Sequence, residues 1–215
     1  MHPEIIKINS TQPESALVAY AAEQIRLGQV LGMPTDTFYG LAADPFNLRA
    51  VDRVYDIKTR GRHKPLSLLI ESIDQAEDLA KPLPDEFYML AEHFWPGPLT
   101  IIVSAAPRLP LKVTANTGNI AVRIPAAPIP LAIIRACGVP VTATSSNLSG
   151  AAECTTAEAV REQLKESISI ILDGGTSPRN VPSTIVNLAE KKGGWKLLRE
   201  GAIPLQEIED LLGDQ

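Results

Sequence analysis

Apolar segments of strand length alternate with segments of helical periodicity along the chain, and this alternation restricts the fold more than any other feature of the sequence. Runs rich in Val, Ile and Leu that are bounded by turn residues predict β-strands. These runs are Glu4–Asn9, Val30–Met33, Leu66–Ile70, Leu99–Ser104, Asn119–Ile124, Val139–Ala143, Ser169–Asp173, Ser183–Asn187 and Trp195–Arg199. Some strands follow one another directly and others are separated by helices, so the pattern predicts an α/β fold around one twisted, partly parallel sheet.

The intervening segments place apolar residues three and four positions apart, which predicts amphipathic helices. They are Glu14–Leu27, Leu48–Ile57, Asp74–Leu79, Asp85–Phe94, Pro128–Cys137, Thr156–Glu166 and Leu205–Leu212. Gly138 and Gly213 directly follow two of them and favour helix termination. Neither an internal repeat nor a proline-rich linker interrupts the pattern, so we expect residues 1–215 to form a single domain without a separate C-terminal domain.

The charge balance excludes one class of function. The chain of 215 residues has 20 Lys plus Arg and 25 Asp plus Glu, a formal net charge of -5. A protein that coats nucleic acid without sequence preference needs a clear basic excess, so any anionic ligand here must be held by a local cluster. Cys137 and Cys154 show neither a zinc-binding nor a disulfide pattern, and no apolar run is long enough for a membrane span. We therefore expect a cytoplasmic protein with reduced thiols, no protein-bound metal and no membrane contact.

Short polar residues gather after the strand Val30–Met33. Thr35, Asp36, Thr37 and Tyr39 follow it within a few positions. Ligands in open α/β sheets bind beyond the carboxyl ends of the strands, so this segment suits a small polar ligand. A turn in which these hydroxyls and the carboxylate cap backbone amides explains the same residues and, for this segment alone, is the more common case.

The concentrated basic segment runs from Lys58 to Lys64. If it is extended, Lys58, Arg60, Arg62 and Lys64 project to the same side and can converge on one anion, with Gly61 allowing close backbone approach. A polyphosphate is the natural ligand, an RNA backbone is an alternative, and a solvated basic turn is the simplest explanation.

Two further features are hydroxyl-rich or cationic. The segment Thr142–Gly150 offers hydroxyls and an amide without a titrating group, and it lacks the nucleophile elbow of a serine hydrolase. A strand-exit turn is its structural alternative. Arg123 and Arg199 interrupt apolar strand patterns and need solvent, an acidic partner or an anionic ligand.

In this order, the segments resemble the YrdC-like family, the threonylcarbamoyl-adenylate synthases. The resemblance extends from Glu14 to Gly201. It rests on Pro34–Thr37 with Tyr39–Leu41, Lys58–Arg60, Trp95–Thr100, Ala121–Pro125, Ser145–Gly150, Ser183–Thr184 and Leu198–Gly201. It implies a twisted mixed α/β sheet with flanking helices and a concave basic cavity for ATP, L-threonine and bicarbonate. The resemblance also implies that the reaction releases pyrophosphate and that its product, threonylcarbamoyl-adenylate, serves the synthesis of N6-threonylcarbamoyladenosine in tRNA.

The resemblance also implies roles for individual residues. Lys58 and Arg60 are the catalytic candidates, because they would stabilise the phosphates as charge moves toward pyrophosphate. The nucleotide-binding candidates are Lys58, Arg60, Lys64, Thr117, Ser145, Asn147 and Arg199. The candidates for binding threonine are Thr35, Tyr39, Arg123 and Ser183, with Arg123 holding the carboxylate through two parallel hydrogen bonds. Mg²⁺ is expected to accompany ATP and to be held mainly by phosphates and water.

The family's partners and this chain's departures leave alternatives open. Short family members pass the adenylate to threonylcarbamoyl-transfer proteins, and tRNA or double-stranded RNA is a further ligand that the resemblance allows. Gly61 and Lys64 replace a proline and an asparagine of many members, and Ala43 replaces a frequent glycine. An RNA-binding module and a paralogue without synthase activity are therefore the alternatives to a synthase.

Overall fold

The computed structural model describes residues 3–189 and 194–213, so residues 1–2, 190–193 and 214–215 of the predicted domain lie outside the described residues. The described residues form eleven strands and seven α-helices. The strands are β1 Glu4–Lys7, β2 Leu31–Met33, β3 Gly40–Ala42, β4 Ser67–Leu69, β5 Leu99–Ser104, β6 Asn119–Arg123, β7 Val141–Thr142, β8 Thr144–Ser145, β9 Ile170–Asp173, β10 Thr184–Asn187 and β11 Lys196–Arg199. The helices are α1 Ser15–Arg26, α2 Leu48–Lys58, α3 Ile73–Leu79, α4 Asp85–Phe94, α5 Pro128–Cys137, α6 Ala157–Leu164 and α7 Leu205–Leu212.

The mixed α/β class is confirmed, but the expectation of one sheet is wrong. A five-stranded sheet has the order β1-β9-β2-β3-β8, and a six-stranded sheet has the order β11-β10-β5-β6-β4-β7. Parallel pairs such as β1 with β9 coexist with antiparallel pairs such as β5 with β6. The strands that complete the first sheet, β3 and β8, span three and two residues and lie inside the polar segments. Strands this short show no readable alternation, so the sequence did not reveal them.

The two sheets meet where the chain passes from β7 to β8. Strand β7 pairs with β4 in the six-stranded sheet, and β8 pairs with β3 in the five-stranded sheet. Ala143 is the single residue between them, and its N–H donates to Ser67 O at 2.9 Å. The predicted strand Val139–Ala143 is thus shorter than expected and ends at this junction.

Apolar side chains hold the helices against the sheets. Val18 and Ile25 of α1 and Ile133 of α5 are buried with Leu31 and Leu172 of the five-stranded sheet. A larger buried cluster joins both sheets to helices α2, α4 and α6 and includes Val54, Phe87 and Val160. In the part of the chain that the structure describes, no helix has the length and apolar character needed to span a membrane.

Candidate active site

A cavity of about 190 Å³ lies at the junction of the two sheets. Hydroxyl groups line much of its wall, including those of Thr100, Ser145 and Ser183. Three guanidinium groups also face it: Arg60 after α2, Arg123 at the end of β6 and Arg199 at the end of β11. Among the described lining residues Glu153 is the only acid, so the cavity has a cationic excess suited to an anionic ligand.

The basic segment does not converge on one anion as the extended conformation predicted. Helix α2 continues to Lys58, and Thr59 takes a left-handed conformation with φ 48°. This bend sends the following residues in different directions. Arg60 enters the cavity wall, whereas Arg62 turns back to form ion pairs with Asp52 and Asp56.

Lys58 is buried behind the cavity wall and is not among the residues that line it. Its ammonium nitrogen donates to Asn147 O at 2.8 Å and to Asn147 Oδ1 at 3.1 Å, and it makes a further short contact to Ser145 O. An ammonium has three N–H groups, so these three oxygens account for all of them. Lys58 therefore anchors the segment after β8 and has no donor left for a ligand in this arrangement.

Burial and the neighbouring Arg60 lower the pKa of Lys58 to about 8, while Glu153 acts in the opposite direction. Burial also lowers the pKa of Arg60. A guanidinium is protonated throughout the neutral range, so Arg60 is charged there, and a pKa of about 8 leaves Lys58 mainly charged at neutral pH. In this segment the cation that faces the cavity is Arg60. Its Nη2 donates to Pro65 O at 2.9 Å, which holds the guanidinium in place.

Asn147 supports Ser145 from behind. The Ser145 hydroxyl donates to Asn147 Oδ1 at 2.6 Å, and Asn147 Nδ2 donates to Ala151 O at 2.6 Å. Asn147 is buried, whereas Ser145 lines the cavity. The Ser-x-Asn pattern thus exposes one residue to a ligand and uses the other to hold it.

Arg199 and Ser183 form another hydrogen-bonded unit of the cavity wall. Arg199 Nε and Nη2 donate to Ser183 O at 3.0 and 2.8 Å, and the hydroxyls of Ser183 and Thr100 are 2.8 Å apart. Gly201 permits this close approach, since a Cβ there would lie 2.3 Å from Pro182 O. The parallel pairing of β10 with β5 brings Ser183 next to Thr100.

The segment after β2 also contributes to the wall. Thr35 Oγ1 donates its proton to Phe38 O at 2.7 Å, so the proton in its 3.1 Å contact with Thr37 Oγ1 comes from Thr37. The Tyr39 hydroxyl donates to Gly175 O at 2.7 Å, and burial raises its pKa. Both hydroxyls are engaged within the protein, although Thr35 and Tyr39 line the cavity.

Arg123 is 6% exposed and is held by three residues from two segments of the chain. Nε donates to Gly97 O at 2.8 Å, Nη1 donates to Thr37 Oγ1 at 3.1 Å, and Nη2 lies 2.6 Å from Asp36 Oδ1. Burial lowers the pKa of Arg123, and the Asp36 carboxylate opposes this shift. The isolated strand arginine thus has an acidic partner and also faces the cavity.

The structure sorts the predicted site residues into three groups. The residues that line the cavity are Thr35, Tyr39, Arg60, Arg123, Ser145, Ser183 and Arg199. Lys58 and Asn147 lie directly behind the wall. Lys64 and Thr117 are exposed and are not among the lining residues, and the Thr117 hydroxyl closes a local turn by donating to Thr114 O at 2.7 Å.

Five polar lining residues were not among the predicted site residues: Thr37, Ser67, Thr100, Thr144 and Glu153. Thr37, Thr100 and Thr144 stood within or beside quoted motifs, which was an available signal. No local pattern distinguished Glu153. Within residues 3–189 and 194–213 no group of three or more His, Cys, Asp or Glu side chains is arranged to hold a metal.

Comparison with known proteins identifies the class that this fold and cavity define. The model of the family Sua5_yciO_yrdC, described as telomere recombination, matches residues 23–201. The chain therefore belongs to the Sua5/YciO/YrdC family.

Individual relatives narrow the comparison. The chain is 40% identical over 199 residues to the threonylcarbamoyl-AMP synthase of Pyrococcus abyssi, covering 92% of this chain and 57% of that protein. It is 40% identical over 197 residues to the enzyme of the same name from Bacillus subtilis, covering 91% of this chain and 56% of that protein. The chain thus spans little more than half the length of these two relatives.

A solved structure matches the fold closely. The crystal structure of P. abyssi Sua5 complexed with L-threonine superimposes with a TM-score of 0.93 at 38% identity. The match covers 98% of this chain and 61% of that one.

Proposed function

We propose that this chain catalyses the threonylcarbamoyl-AMP synthase reaction, which uses L-threonine, bicarbonate and ATP and releases pyrophosphate. The observation that carries the proposal is the cavity into which Arg60, Arg123 and Arg199 converge. Its hydroxyl-rich wall suits a triphosphate beside an amino acid, and the relatives of known name support this choice of substrates. The reaction would begin the formation of N6-threonylcarbamoyladenosine in tRNA.

The proposed chemistry needs alignment and charge neutralisation more than a protein nucleophile. The threonine amine and bicarbonate combine with loss of water to give a carbamate. A carbamate oxygen then attacks the α-phosphorus, the bond to the bridging oxygen breaks, and pyrophosphate leaves with its electrons. Because AMP is transferred to the carbamate, the reaction is a nucleotidyl transfer. Its rate depends on positioned reactants and on cations at the phosphates.

For the nucleotide, we assign direct phosphate contacts to Arg60 and Arg199 and a wall contact to Ser145. Lys58 and Asn147 act by holding Ser145 in place, because their own polar groups are engaged within the protein. Lys64 and Thr117 stay outer candidates for a nucleotide that extends beyond the cavity.

For L-threonine, we assign the carboxylate to Arg123, whose guanidinium supplies fixed, planar donors. Ser183 is a hydroxyl contact beside Arg199. Thr35 and Tyr39 would contact the substrate through atoms other than their hydroxyl protons, which Phe38 O and Gly175 O already accept.

Mg²⁺ would arrive with ATP as part of the substrate. The cavity offers Glu153 as its acidic lining residue and, in the described part of the chain, no cluster of protein ligands. Phosphate oxygens and water are therefore the ligands that this site leaves to the ion, which favours Mg²⁺ because it keeps much of its hydration.

The contacts of the basic segment support an RNA-binding module less well than they support a synthase. Of the cations in the basic segment, Lys58 is buried and Arg62 is paired with Asp52 and Asp56. The charge free for a sugar-phosphate backbone is correspondingly smaller than the sequence suggested. Contacts with tRNA and with threonylcarbamoyl-transfer proteins remain proposals that follow from the product.

We also propose that the two sheets and their helices form one domain, because both contribute to the same cavity. A cytoplasmic location agrees with the proposed role in tRNA modification. The two cysteines are free, as the reducing cytoplasm favours.

The test is pyrophosphate release by the purified chain with Mg²⁺-ATP, L-threonine and bicarbonate, together with reactions that each omit one component. Release that requires both threonine and bicarbonate is the expected result, with Arg60→Ala as the inactive control. Folded protein that releases no pyrophosphate would overturn the proposal. Salt-sensitive RNA binding without ATP binding would then favour the module, and binding of neither would favour the paralogue.

A further inference from the structure

The buried ion pair between Asp36 and Arg123 separates two cavities. Arg123 lines the candidate active site, whereas Asp36 lines a second cavity of about 220 Å³ with Ser177 and the first residues of α5. Thr35 borders both cavities. The side chains of Asp36 and Arg123 are 5% and 7% exposed, so the pair is an internal partition and not a surface contact.

The donors of Arg123 are unequally used. Its guanidinium has five N–H groups, of which Nε binds Gly97 O and one on Nη1 binds Thr37 Oγ1. Nη2 is 2.6 Å from Asp36 Oδ1 and is itself buried, so this nitrogen is engaged with the carboxylate. Asp36 therefore neutralises Arg123 at close range through Nη2 and does not engage Nη1, which has one of its two N–H groups on Thr37 Oγ1.

We propose that Asp36 is a positioning residue that holds Arg123 in the orientation in which the second N–H of Nη1 binds the carboxylate of the amino-acid substrate. The inference rests on the proposed function, because it assigns that carboxylate to the candidate active site. The substrate binds the face of the guanidinium toward the cavity, while Asp36 stays on the side of the second cavity.

Thr37 completes the arrangement through a directional chain of hydrogen bonds. Arg123 Nη1 donates to Thr37 Oγ1, Thr37 donates to Thr35 Oγ1, and Thr35 donates to Phe38 O. Each hydroxyl has one proton, so this direction is fixed by the last acceptor. Asp36 and Thr37 thereby fix two different nitrogens of the same guanidinium.

Buried charge explains why the carboxylate is needed. A guanidinium at 6% exposure is costly unless an opposite charge lies beside it. Arg199 lines the same cavity but is also a cation, so it cannot neutralise Arg123. Neutralising Asp36 should therefore change the position of Arg123 and leave the more distant nucleotide contacts largely unchanged.

The test is the kinetics of Asp36→Asn, which keeps the side-chain size and removes the charge. We expect the KM for L-threonine to rise about tenfold or more, with kcat and the KM for ATP changed less than about threefold. Thr37→Val should raise the threonine KM by a smaller factor. Thr37→Ser, which keeps the hydroxyl, should have a threonine KM close to that of the wild type. Asp78→Asn is the matched control, because it removes the same charge from an exposed ion pair with Arg108.

Each outcome decides the proposal. An unchanged threonine KM in Asp36→Asn, or a parallel loss of ATP and threonine use, would overturn it, since a general structural defect affects both substrates. If Asp36→Asn does not fold, equal threonine KM values for Thr37→Val and Thr37→Ser overturn it instead.

Calorimetric titration with L-threonine separates this proposal from the proposed function. A wild-type chain that binds threonine but releases no pyrophosphate contradicts only the synthase reaction. In that case weaker threonine binding by Asp36→Asn still supports the positioning role, and equal binding contradicts it. A wild-type chain that binds no threonine overturns both.

Discussion

The Lys58 ammonium lies 2.8 Å from the backbone oxygen and 3.1 Å from the side-chain oxygen of the same residue, Asn147. This double contact joins the last turn of α2 to the segment after β8. It explains how a lysine can matter to the proposed nucleotide site although it does not line the cavity.

Replacing Lys58 by Met should impair both stability and nucleotide use. The change leaves the buried backbone oxygen of Asn147 without its Lys58 donor, which costs about 1–3 kcal/mol in the free energy of unfolding. The freed segment should also weaken ATP binding by about tenfold or more. Urea unfolding and calorimetric titration with ATP measure the two effects.

Lys81→Met is the control, because Lys81 is exposed and is not among the lining residues. Wild-type ATP affinity in Lys58→Met would mean that Ser145 keeps its position without the anchor.

The pH dependence of stability should reveal the titration of Lys58. Burial and Arg60 lower its pKa in the folded protein to about 8, from the ordinary 10.5. Between these values the unfolded chain binds more protons, so the Lys58 contribution to the free energy of unfolding rises with pH and is constant below the folded pKa.

The measurement is the difference in unfolding free energy between wild type and Lys58→Met from pH 7 to 10. We expect it to be flat near pH 7 and then to rise in favour of the wild type by at most about 1.4 kcal/mol per pH unit. A difference that falls with pH would show that the three oxygens raise the pKa more than burial lowers it.

Arg60 and Arg62 provide a matched pair of neighbouring arginines. Arg60 lines the cavity, whereas Arg62 is held outside by Asp52 and Asp56. Arg60→Met should lower kcat/KM for ATP by about 10- to 100-fold, because a hydrogen bond to a charged group contributes about 1.5–3 kcal/mol. Arg62→Met should change it less than threefold, as expected for exposed ion pairs of about 0–1 kcal/mol. Steady-state pyrophosphate release measures both variants. Equal effects would show that Arg60 does not contact the phosphates.

Thr184 has a structural role beside the cavity residue Ser183. Its buried hydroxyl donates to Ile203 O at 2.6 Å and accepts from Gly201 N–H at 3.0 Å and Ile203 N–H at 2.9 Å. Thr184→Val leaves these groups unpaired and should lower the free energy of unfolding by about 2–4 kcal/mol. Thermal and urea unfolding test this, with exposed Thr11→Val as the control. A loss below about 0.5 kcal/mol would contradict the role.

Several residues of the site were predictable because they lie in short motifs, in which functional side chains have fixed spacing along the sequence. The motif containing Thr35 lies after a strand, and Arg123 and Arg199 lie in strands, as their apolar surroundings indicated. The sequence did not separate Lys58, Arg60 and Arg62, because their fate depends on the left-handed bend at Thr59 and on acids one and two turns earlier in α2.

The sequence alone determined the alternation of strands and helices, since apolar periodicity reports the local conformation. Strand β5 and helices α4, α5 and α7 begin and end where that pattern places them. Tertiary structure alone decided the division into two sheets and the roles of the polar residues. Strand β8 exists only by pairing with β3, about a hundred residues earlier in the chain, and the same junction puts Ser145 on the cavity wall and Lys58 behind it. Contacts between distant segments leave no local period, so only the folded chain reveals them.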